Sequence, residues 1–165
     1  MRTRSIYIVA LVVTILDQLT KLLVTSRLPY GASVPMLGPI DVTLVRNPGG
    51  AFGLFQDWAA PLTIISLIVV VGIVVLSRRS GRLSLLVGIA LALQLGGALG
   101  NLIDRLRLGY VVDFINLQVW PVFNLADIAI TSGIALLAVH IIFCERSAPQ
   151  TTGDVSLVES EPAKR

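Results

Sequence analysis

Four apolar stretches, at about residues 6–25, 59–76, 83–103 and 126–144, set the limits on what this chain can become. Each approaches the roughly 20 residues that carry a helix through a hydrocarbon core about 30 Å thick. The second and third contain no charge, the first is interrupted by Asp17 and Lys21, and the fourth opens with Asp127. The rest of the composition agrees. Of 165 residues, 55% are hydrophobic and 14% charged, with a mean hydropathy of +0.84; soluble domains carry about 25% charged residues. That shortage of charge excludes a disordered chain, a secreted disulfide scaffold and most nucleic-acid binders. The expected fold is an all-α integral membrane protein with four transmembrane helices, in one unit of residues 1–145.

The net charge of +3 and pI near 9.5 are explained by where the basic residues fall. Arg2 and Arg4 precede the first apolar run, Arg78, Arg79 and Arg82 separate the second from the third, and Arg146 follows the fourth. The other two connections hold Arg27, Arg46 and Arg107, with Arg105 at a helix end. Basic residues are retained on the cytoplasmic side, so both termini are expected inside. The first run is expected to stay as a helix rather than act as a secretory leader, since Asp17 and Lys21 interrupt it and no small-residue cleavage site follows.

Tyr30, Phe52, Phe55, Trp58, Tyr110, Phe114, Trp120 and Phe123 fall in or beside the two outer connections. Rings of this kind concentrate at the headgroup level, so these segments are expected to lie on the membrane, and small local cores under each loop are a second reading compatible with the first. Residues 40–44 alternate, with Ile40, Val42 and Leu44 opposite Asp41 and Thr43, and the Asn47-Pro48-Gly49-Gly50 turn follows. Residues 110–116 read as a second strand, giving a small outer β-containing segment. The polar residues 146–165 are expected to form a disordered cytoplasmic tail.

Three helices then bring polar groups to one depth. Asp17 and Lys21 lie in the outer half of the first, Asn101 and Arg105 at the outer end of the third, and Asn124 and Asp127 at the outer start of the fourth. Ionisable groups in a span cost about 2.5–3.5 kcal/mol each on insertion scales, so they normally face the bundle interior. Asp17 and Lys21, spaced i,i+4, share one helical face, either as a self-neutralising pair or as part of a site. Gly96, Gly97 and Gly100 are read as a close-packing face.

Asp113 and Asp127 each sit among apolar neighbours, in Val111-Val112-Asp113-Phe114-Ile115 and Leu125-Ala126-Asp127-Ile128. Such surroundings raise a carboxyl pKa, and two carboxylates brought close share one proton. A dyad of this kind can deprotonate a water while its protonated member polarises a carbonyl. The single histidine, His140, lies thirteen residues beyond Asp127, roughly 20 Å along the helix, which excludes a Ser-His or Cys-His arrangement at the cluster. Lone Cys144 forms no internal disulfide or CxxC motif, and a metal there would need oxygen and amide ligands only. No metal or cofactor is expected.

At these residues the sequence resembles the bacterial lipoprotein signal peptidases, or signal peptidase II. The matching runs, in family order, are Asp17-Gln18-Leu19-Thr20-Lys21, Arg46-Asn47-Pro48-Gly49-Gly50-Ala51-Phe52, the stretch from Gly96 to Arg105, Val111-Val112-Asp113-Phe114-Ile115 and Phe123-Asn124-Leu125-Ala126-Asp127. The resemblance implies a four-helix membrane aspartic peptidase of the bacterial inner membrane, active at its outer face. Such an enzyme removes the signal peptide of a diacylglyceryl-modified prolipoprotein by cutting just before the lipidated cysteine. Asp113 and Asp127 match the catalytic pair. Asp17, Lys21, Asn47, Gly49, Asn101, Arg105, Asn124 and Ala126 match supporting or substrate-binding positions.

The implied partners are prolipoproteins, membrane lipid and inhibitors of the globomycin type. In this setting Asn47 and Asn124 are candidates to hydrogen-bond substrate backbone, Arg105 to meet developing negative charge, and Lys21 to offset Asp17. Gly50 departs from the family's usual alanine and loosens its turn. Two other readings stay open: a small transporter using Asp17, Lys21, Arg105 and Asp127 as a relay, and a scaffold binding partner helices through its glycine faces.

Overall fold

The computed structural model describes residues 1–49 and 59–145. Its body is four helices: α1 Thr3–Arg27, α2 Ala59–Arg79, α3 Leu85–Leu108 and α4 Leu125–Glu145. All four are long and apolar enough to cross a membrane. The helices outrun the apolar stretches because their charged ends are still good helix formers. The largest difference is in α3, expected to end near residue 103. Asp104, Arg105, Leu106 and Arg107 continue it until Gly109, whose φ of 80° closes the helix with its N–H on the Arg105 carbonyl at 3.0 Å.

α3 is the central and most enclosed helix, packed against α1, α2 and α4. Its small residues make that possible. A Cβ on Gly96 would stand 2.6 Å from the Ala10 carbonyl of α1, and one on Gly97 would run into the Ala126 carbonyl of α4. The close-packing expectation for these glycines holds. On the outside, Leu11, Leu19 and Leu22 of α1 and Ile64 and Ile68 of α2 are each more than half exposed, as lipid-facing side chains should be.

The two ends of the bundle differ. At one, the Met1 ammonium donates to the Leu83 carbonyl, the Thr3 hydroxyl donates to the Ser77 carbonyl at 3.1 Å, and Tyr7 and Ser77 hydroxyls pair at 3.1 Å. At the other lies an antiparallel three-stranded sheet in the order β1 Ser33–Leu37, β2 Ile40–Asn47, β3 Val111–Asn116. Residues 40–44 are in a strand, as their alternation predicts, and β2 continues to Asn47; the second expected strand begins at Val111, one residue later than read from the sequence. β1 was not legible, because Pro29, Pro35 and Pro39 read as loop. Pro35 is tolerated since β1 is an edge strand. The Asn47-Pro48-Gly49 turn is closed by the Gly49 N–H on the Asn47 side-chain oxygen at 3.1 Å. Gly50, Phe52, Phe55, Trp58 and the tail 146–165 lie outside the described residues.

Candidate active site

At the sheet end of the bundle, polar side chains from α1, α3, β2, β3 and α4 form one continuous network. Its first half is ionic. The Lys21 ammonium, 3% exposed, donates to Asp17 at 2.9 Å, to Asp104 at 2.8 Å and to the Asn101 side-chain oxygen at 2.9 Å, so its three N–H groups are all used. Asp17, fully buried, also accepts from the backbone N–H of Ala126 at 3.0 Å. A carboxylate of α1 thus meets the positive N-terminus of α4. Asp104 accepts further bonds from Gln18 at 2.9 Å and from the Val112 N–H at 3.0 Å, which ties the end of α3 to β3. Gly100 leaves the space that the Asp17 carboxylate occupies.

The second half holds Asp113 and Asp127, and its donors are neutral amides. Asp113 accepts from Asn124 at 2.6 Å and from Asn47 at 2.8 Å. Asn47 reaches it because β2 and β3 pair Val45 with Asp113, which puts Asn47 diagonally opposite on the same sheet face. Asp127 accepts from Asn101 at 2.8 Å. It also forms a reciprocal cap with Asn124. The Asn124 N–H donates to the Asp127 carboxylate at 3.2 Å, and the Asp127 N–H donates back to the Asn124 side-chain oxygen at 3.0 Å. Asn124 donates as well to the Asn101 oxygen at 3.1 Å, closing a bridge between the two aspartates through Asn101 and Asn124.

Both aspartates, with Asn47, Asn101 and Arg105, line one cavity of about 200 Å³. Asp127 and Arg105 also border a second space of about 320 Å³ between α2, α3 and α4, walled by Ile65, Val69, Ile130 and Ile134. Arg105 donates to the Ser66 hydroxyl of α2 at 3.2 Å. Burial is the main reason the Asp113 carboxyl is pushed up to about 7; the nearby Asp127 charge adds to the rise, while the bonds from Asn47 and Asn124 oppose it. A group poised there can hold or release a proton near neutrality.

The structure brings together all ten residues singled out from the sequence, but two roles differ from expectation. The Asn124 amide is fully engaged within the protein, and the Asn47 amide group is directed at Asp113. Both therefore position carboxylates rather than present free amides to a substrate. Asp104 and Gln18 were not singled out as site residues. Asp104 lies three residues past Asn101, on the same face of α3, and that spacing was the available signal. Gln94, seven residues before Asn101 on that face, also borders the larger space, and its buried amide nitrogen has no hydrogen-bond partner among the described residues. Among the described residues, no three His, Cys, Asp or Glu side chains are grouped to hold a metal.

Four membrane-crossing helices with two aspartates lining a cavity at one end define the class: a multi-pass membrane protein with a polar pocket at one end of its bundle. Residues 9–143 match the family described as Signal peptidase (SPase) II, Peptidase_A8. The chain belongs to that family and is a peptidase. It is 43% identical over 136 residues to the lipoprotein signal peptidase of Moorella thermoacetica, covering 82% of this chain and 91% of that one. It is 43% identical over 147 residues to the lipoprotein signal peptidase of Halalkalibacterium halodurans, covering 86% and 94%. A bacterial membrane enzyme structure obtained in meso at 2.3 Å resolution superposes with a TM-score of 0.78 at 28% identity, covering 97% of this chain and 94% of that one.

Proposed function

We propose that the chain is an aspartic endopeptidase of the bacterial inner membrane that removes the signal peptide of diacylglyceryl-modified prolipoproteins, cutting just before the lipidated cysteine. The observation that carries this reading is the sharing of one cavity by Asp113 and Asp127, bridged by Asn101 and Asn124. The protonated Asp113 donates to the scissile carbonyl oxygen while Asp127 takes a proton from the attacking water, giving a gem-diol. That proton then passes from Asp127 to the leaving nitrogen as the carbon–nitrogen bond breaks, and a gem-diol proton returns to Asp113. No covalent intermediate is needed.

The supporting groups fit their places. Arg105 supplies positive charge at the cavity where negative charge develops on the carbonyl oxygen. Asn47 and Asn124 hold Asp113 in place, Asn101 and Asn124 hold Asp127, and Gly49 shapes the turn that fixes Asn47. Asp17, Lys21 and the Ala126 N–H anchor α1 to α4 below the pocket. The apolar space between α2, α3 and α4 suits the membrane-embedded signal peptide, and the unpartnered amide of Gln94 offers a donor to its backbone, which has no water to bond.

The sheet end faces outward in this reading, and Arg78, Arg79 and Arg82 lie at the cytoplasmic end. A diacylated cysteine at the outer surface then lies level with the two aspartates. The relay alternative loses ground because the ionic groups within the described spans gather at one end rather than at successive depths. Purified protein in lipid, given a diacylated prolipoprotein, is expected to release the signal peptide with the new N-terminus at the modified cysteine. Globomycin is expected to block that release. Unchanged processing by both Asp113→Asn and Asp127→Asn would overturn the aspartic mechanism.

A further inference from the structure

On the opposite side of the sheet wall from the two aspartates lies a separate cavity of about 290 Å³, and the mechanism uses none of its volume. Side chains alternate along the wall. Asn47, Val111 and Asp113 line the aspartate cavity, whereas Arg46, Tyr110 and Val112 line this one. Its charged lining is Lys21, Arg46, Asp104 and Arg107. Lys21 is shared by Asp104 and Asp17, so this buried triad is bonded within the protein and carries one more acid than base. Among the described residues, neither Arg46 nor Arg107 has a carboxylate at ion-pair distance, so both guanidinium groups keep donors for an anion.

Arg46 is also held in place. Its guanidinium carbon lies 5.0 Å from the Tyr30 ring centre and 5.3 Å from that of Tyr110, a clamp that removes much of the side chain's freedom before any ligand arrives. The remaining walls are apolar, including Leu22 and Leu108, which are 65% and 43% exposed on the lipid-facing side of α1 and α3. The cavity is set by the last turns of two membrane-spanning helices, at headgroup depth. Planar guanidinium donors above an apolar entrance match a phosphate oxygen pair carried on a hydrocarbon chain.

We propose that this cavity binds a phosphodiester or phosphomonoester anion. Two sources share that chemistry, the headgroup of an anionic phospholipid and a soluble glycerol phosphate, and the lipid-facing entrance favours the former. The proposal does not rest on the peptidase reading.

The test is native mass spectrometry of the full chain released from nanodiscs of mixed phosphatidylglycerol and phosphatidylcholine. The wild type is expected to retain phosphatidylglycerol preferentially. Arg46→Gln combined with Arg107→Gln is expected to lower that preference about thirtyfold, and Arg107→Gln alone, at an exposed helix end, about fivefold. Arg78→Gln with Arg79→Gln, at the other end of the bundle, is expected to leave it unchanged. Equal retention by the wild type and Arg107→Gln would overturn the site, and so would an equal loss in the Arg78/Arg79 variant, which would mean diffuse charge attraction. With the site established by those variants, displacement of the lipid by millimolar glycerol phosphate assigns the soluble source, and its persistence assigns the lipid.

Discussion

Two groups of carboxylates sit within one hydrogen-bonded network and are separated by the charge of the groups bonded to them, with Asp127 half-buried and the other three buried. Asp17 and Asp104 share an ammonium, that of Lys21, and their remaining lone pairs are met by Gln18 and by the backbone N–H groups of Ala126 and Val112. Among the described residues, Asp113 and Asp127 accept hydrogen bonds from amide groups, with the Lys21 and Arg105 charges acting on them at a distance rather than bonded to them. An ion triad of the first kind ties its helices together through bonds between opposite charges. A pair of the second kind cannot bear two charges without a cation bonded to it, so it holds a proton that chemistry can use. In the proposed mechanism, identical side chains thus serve as a fastener in one place and as an acid–base couple in the other.

The sharpest way to break this contrast is to neutralise each group in turn. Asp113→Asn and Asp127→Asn are each expected to lower peptidase turnover at least about a thousandfold, with the helical circular-dichroism spectrum retained. Asp113→Asn should at the same time gain stability at alkaline pH. The folded-state carboxyl is pushed up to about 7 from its ordinary value of 3.8, so the wild type binds an extra proton when folded. Its contribution to stability is present below about pH 4 and is lost as pH rises through 7, which is the slope that asparagine should abolish. Thermal midpoints measured from pH 5 to 8 would show it.

Lys21→Ala should do the reverse. It leaves two buried carboxylates without their cation, a loss of about 3–5 kcal/mol, read as a lowered thermal midpoint. Turnover per folded molecule is expected to survive far better than in the aspartate variants. An inactive Lys21→Ala protein of unchanged stability and substrate binding would erase the distinction. Gly100→Ala is a milder probe of the same triad, since its methyl would enter the space of the Asp17 carboxylate. A cost of about 1–3 kcal/mol is expected, with the pH profile unmoved.

The smallest effect sharpens the other side. Activity should fall on an alkaline limb near pH 7 as the couple loses its shared proton. The Asn47 bond favours the ionised form of Asp113, so Asn47→Ala should move that limb to higher pH. A shift to lower pH would contradict the assigned bond.

Much of this was legible beforehand, for reasons that can be named residue by residue. Helices α1 to α4 follow from apolar length, a local property that needs no partner to be read. Gly96 and Gly97 announced close packing because a missing Cβ has few other uses inside a span. The network's second acid, Asp104, was hidden because a charge at a helix end reads equally well as a terminus. Strand β1 was hidden because its proline is acceptable only if the strand is an edge, and edges are defined by neighbours.

Four crossings, the confinement of polar groups to one end and the identity of the two candidate acids follow from the chain's own order of residues, because bilayer insertion is decided segment by segment. Which carboxylate meets a cation and which meets amides follows from no segment alone. Lys21 lies within one helical turn of Asp17, yet it also reaches Asp104 across the packed α1–α3 face, where Gly96 and Gly100 let the helices approach, and Asn124 reaches Asp113 because β3 folds back over the start of α4. Those distances arise only when all the elements are assembled, and over a few ångströms in a medium that excludes water they separate a structural ion from the acid proposed to react.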